Sequence, residues 1–104
     1  MNSQIKICYN NIKFNEIIEL ANKMKISTDE NIRLSANKFV DKIMKFSYVK
    51  DNNVYIKLYP SETKFLITML SNNINEIKTS KDWFEELIKL KEEYKKNKEG
   101  DFNA

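Results

Sequence analysis

The chain has no histidine, and its 104 residues include only one cysteine, one glycine and one proline. Without histidine there is no imidazole to serve as the base of a nucleophilic pair or as a metal ligand. The single glycine, Gly100, excludes the glycine-rich loops that wrap phosphate groups. The lone Cys8 cannot form an internal disulfide framework, and we expect it to be a packed thiol rather than a reactive one.

Long apolar runs are absent as well. The first 25 residues interleave apolar positions with lysine and glutamate, so we expect no signal peptide. No stretch approaches the roughly 20 apolar residues that span a membrane, and we expect a cytoplasmic protein without a membrane partner. The paired acids Glu85–Glu86 and Glu92–Glu93 sit in a lysine-rich helical pattern that is typical of a solvated face. We therefore expect no enzymatic activity, no cofactor and no metal.

Positive charge is concentrated in the middle of the chain. The whole sequence carries 18 cationic and 15 anionic side chains, a net charge of +3. Residues 33–57 alone hold six cationic and two anionic side chains, a net charge of +4, so the remainder sums to −1. A basic window of this kind favours binding to the phosphates of a nucleic acid.

The N-terminal segment contains a short strand pattern and then a helical one. Residues 4–9 alternate apolar and polar positions, which predicts a short strand. Apolar residues then recur at helical spacing over 15–25, with Asn11 or Asn15 as the candidate cap.

A second helical pattern starts at Ser27, which forms a candidate capping box with Glu30, and it reaches Phe46 without glycine or proline. The pattern fits one long helix, or a short helix, a turn near Ser35 and a second helix from Ala36. We favour the break, because Ser35 is a candidate cap. The expected buried stripe is Ile32, Ala36, Phe39, Val40, Ile43 and Met44.

Two strand patterns flank a turn over residues 51–53, and together they predict a β-hairpin over about 47–59. Asparagine tolerates the positive φ that tight hairpins need. Alternation places Val54, Ile56 and Leu58 on a core face and Tyr55, Lys57 and Tyr59 on the opposite face. After Pro60 we expect a helix over about 61–72 and a long amphipathic helix over about 80–97.

The segment Leu34–Glu62 resembles the recognition helix and wing of winged helix–turn–helix proteins, in which a helix runs directly into a hairpin and the hairpin exits into another helix. The resemblance covers about residues 12–72. It implies an α+β, mostly helical fold with a hairpin wing, as one domain over 1–97 followed by a flexible polar tail over 98–104. Length, composition and element order also resemble the small TcpK-like accessory proteins of clostridial conjugative plasmids, which implies a dimer that contacts DNA largely through its wing.

The resemblance points to sequence-specific binding of double-stranded DNA, in a relaxosome at a transfer origin or in transcriptional regulation. The basic helix and the hairpin are expected to share one DNA-binding surface. The expected contacts are Arg33, Ser35, Asn37, Lys38, Lys42, Lys45, Lys50, Asn52, Asn53, Tyr55 and Lys57. Asn37 is a candidate reader of adenine, and the lysines are candidate phosphate contacts.

The long last helix leaves two interpretations open. Trp83, Phe84 and Leu87 form either a homodimer interface or a face that closes the core of the chain. Expected partners are DNA, a second copy and a relaxase or other DNA-processing protein. The alternative function is a small protein–protein interaction module, such as a phage inhibitor or an antitoxin-like partner, that acts through this helix.

Overall fold

A computed structural model describes residues 4–77 and 80–103 of the chain. Over these residues the fold is α+β and mostly helical, with four α-helices and a small three-stranded antiparallel sheet. The elements are β1 (Ile5–Asn10), α1 (Asn11–Met24), α2 (Glu30–Phe46), β2 (Tyr48–Lys50), β3 (Asn53–Leu58), α3 (Pro60–Asn73), a 3-10 turn (Ile74–Glu76) and α4 (Ser80–Asn103). Among the described residues, no helix combines the length and the apolar character needed to cross a membrane.

The chain divides into two compact units. One consists of Ile7–Lys57 and the other of Met1–Lys6 with Leu58–Ala104. The first unit carries nine cationic and six anionic side chains, whereas the second carries nine of each. The whole net charge of +3 therefore belongs to the unit that contains α1, α2 and the hairpin.

The helices of the first unit begin at side-chain caps. The Asn10 Oδ1 atom accepts a hydrogen bond from the Lys13 amide at 2.9 Å, so α1 starts earlier than residue 15. The Asp29 carboxylate accepts from the Asn31 amide at 2.9 Å and caps α2. The prediction of Ser27 as the cap of α2 is wrong, because its hydroxyl accepts from the Asp29 amide at 3.1 Å instead. A carboxylate is a strong acceptor for the free amides at a helix start.

The predicted break at Ser35 is also wrong, because α2 is one continuous helix of 17 residues. Ser35 is exposed and lies in mid-helix, where no glycine or proline interrupts the backbone hydrogen bonds. Ala36 is fully buried, as is Ala21 in α1, and such small side chains let the two packed helices approach closely. A turn at this point would disrupt that packing.

Apolar residues fill the interior of this first unit. Ala36, Phe39, Val40 and Ile43 of the predicted stripe are buried. Ile32 is 39% and Met44 66% exposed, so the predicted stripe is too long at both ends. Its buried apolar residues are Ile7, Tyr9, Ile17, Leu20, Ala21, Ala36, Phe39, Val40, Ile43, Val54 and Ile56.

In the second unit α3 packs against α4 and the 3-10 turn. Pro60 occupies the first turn of α3, where its missing N–H costs no hydrogen bond, and the Glu62 carboxylate accepts from the Tyr59 amide at 2.7 Å. Trp83 and Leu87 are buried, so these two side chains close the core of the chain and only Phe84 of the predicted dimer face is exposed. α4 continues to Asn103, beyond its predicted end at residue 97 and through most of the predicted tail over 98–104. The side chains of residues 97–104 lie outside the described part of the chain.

The predicted hairpin is confirmed, with β2 and β3 antiparallel and Lys50 paired to Asn53. The two residues between them, Asp51 and Asn52, have φ angles of 53° and 66°. A two-residue hairpin loop with both φ angles positive has the backbone of a type I′ turn, whose twist matches that of the strands. The predicted N-terminal strand is confirmed as β1, and the sheet order is β1-β3-β2.

The turn generates a first prediction. Asn52→Ala should lower the free energy of unfolding by about 1–2 kcal/mol, because an alanine Cβ is disfavoured in the left-handed region. Asn52→Gly should leave it unchanged or raise it. Thermal unfolding followed by circular dichroism measures both.

The matched control is Asn22→Ala, which changes the same residue type at an exposed position of α1. It should stabilise the chain by up to about 0.7 kcal/mol, because alanine is the better helix former. Equal effects of the two alanine variants would contradict a left-handed turn at Asn52.

Candidate nucleic-acid interface

The outer face of α2 is polar and cationic. Ser35, Asn37, Lys38, Asp41 and Lys45 are all exposed. Their spacing along the helix places them away from the buried residues 36, 39, 40 and 43. This face has the donors and the charge to contact phosphates and base edges.

Arg33 is partly withdrawn from that face by a hydrogen bond to the connection before α2. It is half-buried, and its Nη1 atom donates a hydrogen bond to the Ser27 carbonyl at 3.1 Å. This bond ties the start of α2 to the connection 25–29 that joins it to α1. The guanidinium stabilises the connection between the two helices, which the sequence prediction of a DNA contact did not anticipate.

Two other predicted contacts on α2 are engaged within the helix. The Asn37 Nδ2 atom donates to the Arg33 carbonyl one turn earlier at 3.0 Å. A bidentate pair with adenine requires that amide to turn outward and break this bond. Lys42 is half-buried, with its Nζ atom 5.6 Å from the centroid of the Phe46 ring. This cation–π contact holds the ammonium beside an exposed aromatic ring.

α2 leads into the hairpin through a single residue. Ser47 ends the helix, and its amide still donates to the Ile43 carbonyl at 3.2 Å. β2 begins at the next residue, Tyr48. The outer face of α2 and the first strand of the hairpin are therefore adjacent in the chain, with no flexible linker between them.

One side of the hairpin is apolar, buried along β3 but exposed at Val49 in β2, and the other side is polar and aromatic. Val54 and Ile56 are buried on the first side. Pairing of Tyr48 with Tyr55 and of Lys50 with Asn53 puts the alternate residues on the opposite side. We call this second side the open face; in the hairpin it consists of Tyr48, Lys50, Asn53, Tyr55 and Lys57.

The members of the open face differ in exposure. Lys50 and Lys57 are exposed, whereas Asn53 and Tyr55 are half-buried. Asn52 is exposed in the turn. Four of the predicted hairpin contacts, Lys50, Asn53, Tyr55 and Lys57, thus lie together on one side of a two-stranded ribbon.

An aromatic stack is the feature of the open face that the sequence analysis missed. The rings of Tyr48 and Tyr55 lie with centroids 5.2 Å apart and planes inclined by 14°. Tyr48 is 59% exposed, so the stack extends into solvent at its Tyr48 end. The strand register brings the rings together. Pairing the two strands across a two-residue turn at Asp51 and Asn52 would have placed Tyr48 opposite Tyr55 from the sequence.

Cys8 joins the open face from β1. Its side chain is exposed, so the expectation of a packed thiol is wrong. Ile7 and Tyr9 point to the core, and alternation turns Cys8 the other way. A side-chain hydrogen bond with Cys8, aided by the negative charge of its thiolate at high pH, raises the pKa of Tyr55.

Comparison of the chain with protein-family models, with curated proteins and with solved structures finds no match. Within the described residues, no cluster of three or more cysteine or carboxylate side chains is arranged to hold a metal ion.

The contact between β1 and β3 generates a prediction on pH. The pKa of Tyr55 is raised in the folded chain. The neutral Tyr55 phenol therefore stabilises the fold fully below the ordinary tyrosine pKa of about 10. This stabilisation is lost as pH rises through the pKa of the folded chain. Cys8→Ala should lower the pKa of Tyr55 toward that ordinary value. Titration of the ring carbon resonances by NMR, with Tyr55→Phe to assign the signal, measures the change.

Cys8→Ser is the control, since it keeps a hydrogen-bonding partner but removes the thiolate charge. The pKa of Tyr55 in this variant should lie between the other two. An unchanged titration in Cys8→Ala would show that the two side chains do not interact.

Proposed function

We propose that the chain is a winged helix–turn–helix protein that binds double-stranded DNA. α1, the connection 25–29 and α2 correspond to the helix–turn–helix, and the β2–β3 hairpin corresponds to the wing. The order β1-β3-β2 supports this, because the strand that precedes the two helices lies beside the returning strand of the hairpin. The whole of α2, rather than a second helix that begins at about Ala36, is then the recognition helix.

The observation that carries the proposal is the continuity of the polar face of α2 with the cationic hairpin. A helix fits the major groove of B-DNA, which is about 12 Å wide. Lys38 and Lys45 are exposed on α2, and only three residues separate the end of α2 from Lys50. A helix in the groove would bring the hairpin close to the flanking phosphates.

The individual contacts follow from side-chain chemistry. Lys38 donates to a phosphate or to the O6 and N7 atoms of guanine, and Asn37 reads adenine if its amide turns outward. Lys50, Asn52 and Lys57 contact the backbone, which positions the protein without reading sequence. Asp51 repels phosphate, so the turn meets the duplex through Asn52 rather than through its first residue.

The magnitude of the charge favours a dimer on DNA. The four exposed lysines of α2 and the hairpin, Lys38, Lys45, Lys50 and Lys57, neutralise about four phosphates, which gives a log–log salt slope near −4 per protomer. Four phosphate contacts give weak binding, and two protomers on adjacent or inverted half-sites double the number of contacts. We infer a homodimer or cooperative binding to repeats, at a transfer origin beside a relaxase or at a promoter.

An exposed apolar pair on α4 favours a second candidate function. Phe84 and Ile88 lie one turn apart and are 50% and 59% exposed. They suit a protein–protein interaction module that acts through α4. Two results together would favour this function over the first. The chain would show no DNA affinity, and it would bind a protein partner that survives nuclease treatment and is lost in the Phe84→Glu and Ile88→Glu variants.

The test of the proposed function is the salt dependence of duplex binding. Fluorescence anisotropy with duplexes from the DNA around the coding gene should give a log–log slope near −4 per protomer between 50 and 200 mM salt. Lys38→Ala, Lys50→Ala and Lys57→Ala should each weaken binding and flatten the slope by about one unit.

Lys64→Ala is the matched control, because it removes the same charge from an exposed position of α3 in the other unit. It should leave the slope unchanged. Absence of binding at 50 mM salt, or salt-independent binding, would refute the proposal. If Lys50→Ala and Lys57→Ala leave the slope unchanged as Lys64→Ala does, the hairpin does not contact the duplex.

A further inference from the structure

The tyrosine stack ends at an edge of the sheet. β3 is the central strand, and β2 is an edge strand. Tyr55 stands on the central strand between Cys8 and Tyr48, so both of its neighbours are side chains of the sheet. Tyr48 stands on the edge strand, with Tyr55 on one side of its ring. The other side of the ring is turned toward the sheet edge, and the residue is 59% exposed.

This geometry leaves one aromatic surface available for a third ring. The two phenol rings are nearly parallel, at 14°, and their centroid distance of 5.2 Å is close to the spacing of adjacent strands, about 4.8 Å. Packing against Tyr55 restricts the orientation of Tyr48, so little side-chain freedom remains to be lost when another ring joins the stack.

The charged side chains on the open face are both cationic, and the Asp51 carboxylate in the adjoining turn acts on Tyr55 from outside that face. Lys50 follows Tyr48 by two residues on the edge strand, and Lys57 follows Tyr55 by two on the central strand. Both lysines are exposed. The described residues of the open face include no carboxylate. A ligand with a flat aromatic ring and anionic groups on both sides of it complements this arrangement.

We propose that the open face is a binding site for an unpaired nucleobase, which stacks on Tyr48 while Lys50 and Lys57 contact the flanking phosphates. Bases in a duplex present only their edges in the grooves, so this ligand is a single-stranded segment and not the duplex proposed above. The site goes beyond duplex binding and shares only the hairpin lysines with it. Lys50 and Lys57 would then contact duplex phosphates in one complex and the phosphates that flank the stacked base in the other.

The test compares three labelled ligands by fluorescence anisotropy at 50 mM salt: a deoxyuridine 12-mer, a uridine 12-mer and a 12-base-pair duplex. The 12-mers have no stable duplex form, so their binding reports contacts with a single strand. Tyr48→Ala should weaken single-strand binding roughly 5- to 150-fold, the range that loss of one base–aromatic stack gives. Tyr48→Phe should keep the affinity, because the ring does the stacking.

Two controls separate stacking from damage to the hairpin. Val49→Ala truncates the next residue of the same strand, which is 66% exposed but lies on the other side of the hairpin, and it should not change single-strand binding. Lys38→Ala should weaken duplex binding but not single-strand binding. Higher affinity for one of the two 12-mers identifies DNA or RNA as the source of the base.

The outcomes separate this inference from the proposed function. Failure of the wild-type chain to bind either 12-mer would overturn the inference, and so would equal losses in Tyr48→Ala and Val49→Ala or a loss in Tyr48→Phe. Each of these leaves duplex binding to be judged by its own salt slope. Single-strand binding that depends on Tyr48, without duplex binding, would support the inference and refute the proposed function.

Discussion

The register of the β2–β3 hairpin is the constraint on which the rest of the first unit depends. Asp51 and Asn52 in the left-handed region fix which residues of the two strands face each other. Because side chains alternate along a strand, a slip of one residue would expose Val54 and Ile56 and bury Tyr55 and Lys57. Burial of each aliphatic side chain is worth roughly 1.5–3 kcal/mol, and a buried lysine would add a further penalty. One local turn therefore fixes both the core and the open face.

The second constraint is the continuity of α2. Its first turn is held by the Asp29 cap and by the hydrogen bond from Arg33 to Ser27, and its last turn continues through Ser47 into β2. At about 1.5 Å per residue, its 17 residues form a rod of about 25 Å. α2 joins the connection 25–29 to the hairpin. Its polar side chains and the start of the hairpin therefore follow one another along a single continuous helix.

The sequence was enough to predict features that depend on local chemistry. Alternation, Asn-rich turns and helical spacing predicted the hairpin, the N-terminal strand and most of the buried positions. Features that depend on distant partners were beyond it. An unbroken helix and two helices broken at Ser35 have the same periodicity, and only packing against α1 decides between them. The exposure of Cys8 and the Tyr48–Tyr55 stack likewise depend on strand pairing. The hydrogen bond of Arg33 depends on a carbonyl six residues away.

The shortness of β2 has a consequence for association between chains. An edge strand offers unpaired main-chain groups to which a foreign strand can add, and aggregation through such edges is a general hazard of open sheets. β2 has only three residues, and one of them is a lysine next to a tight turn. An incoming strand would gain few hydrogen bonds there and would have to accommodate the ammonium group. The apolar side chains exposed around this edge, Phe46 and Val49 among them, can therefore stay in contact with water without seeding intermolecular β-structure.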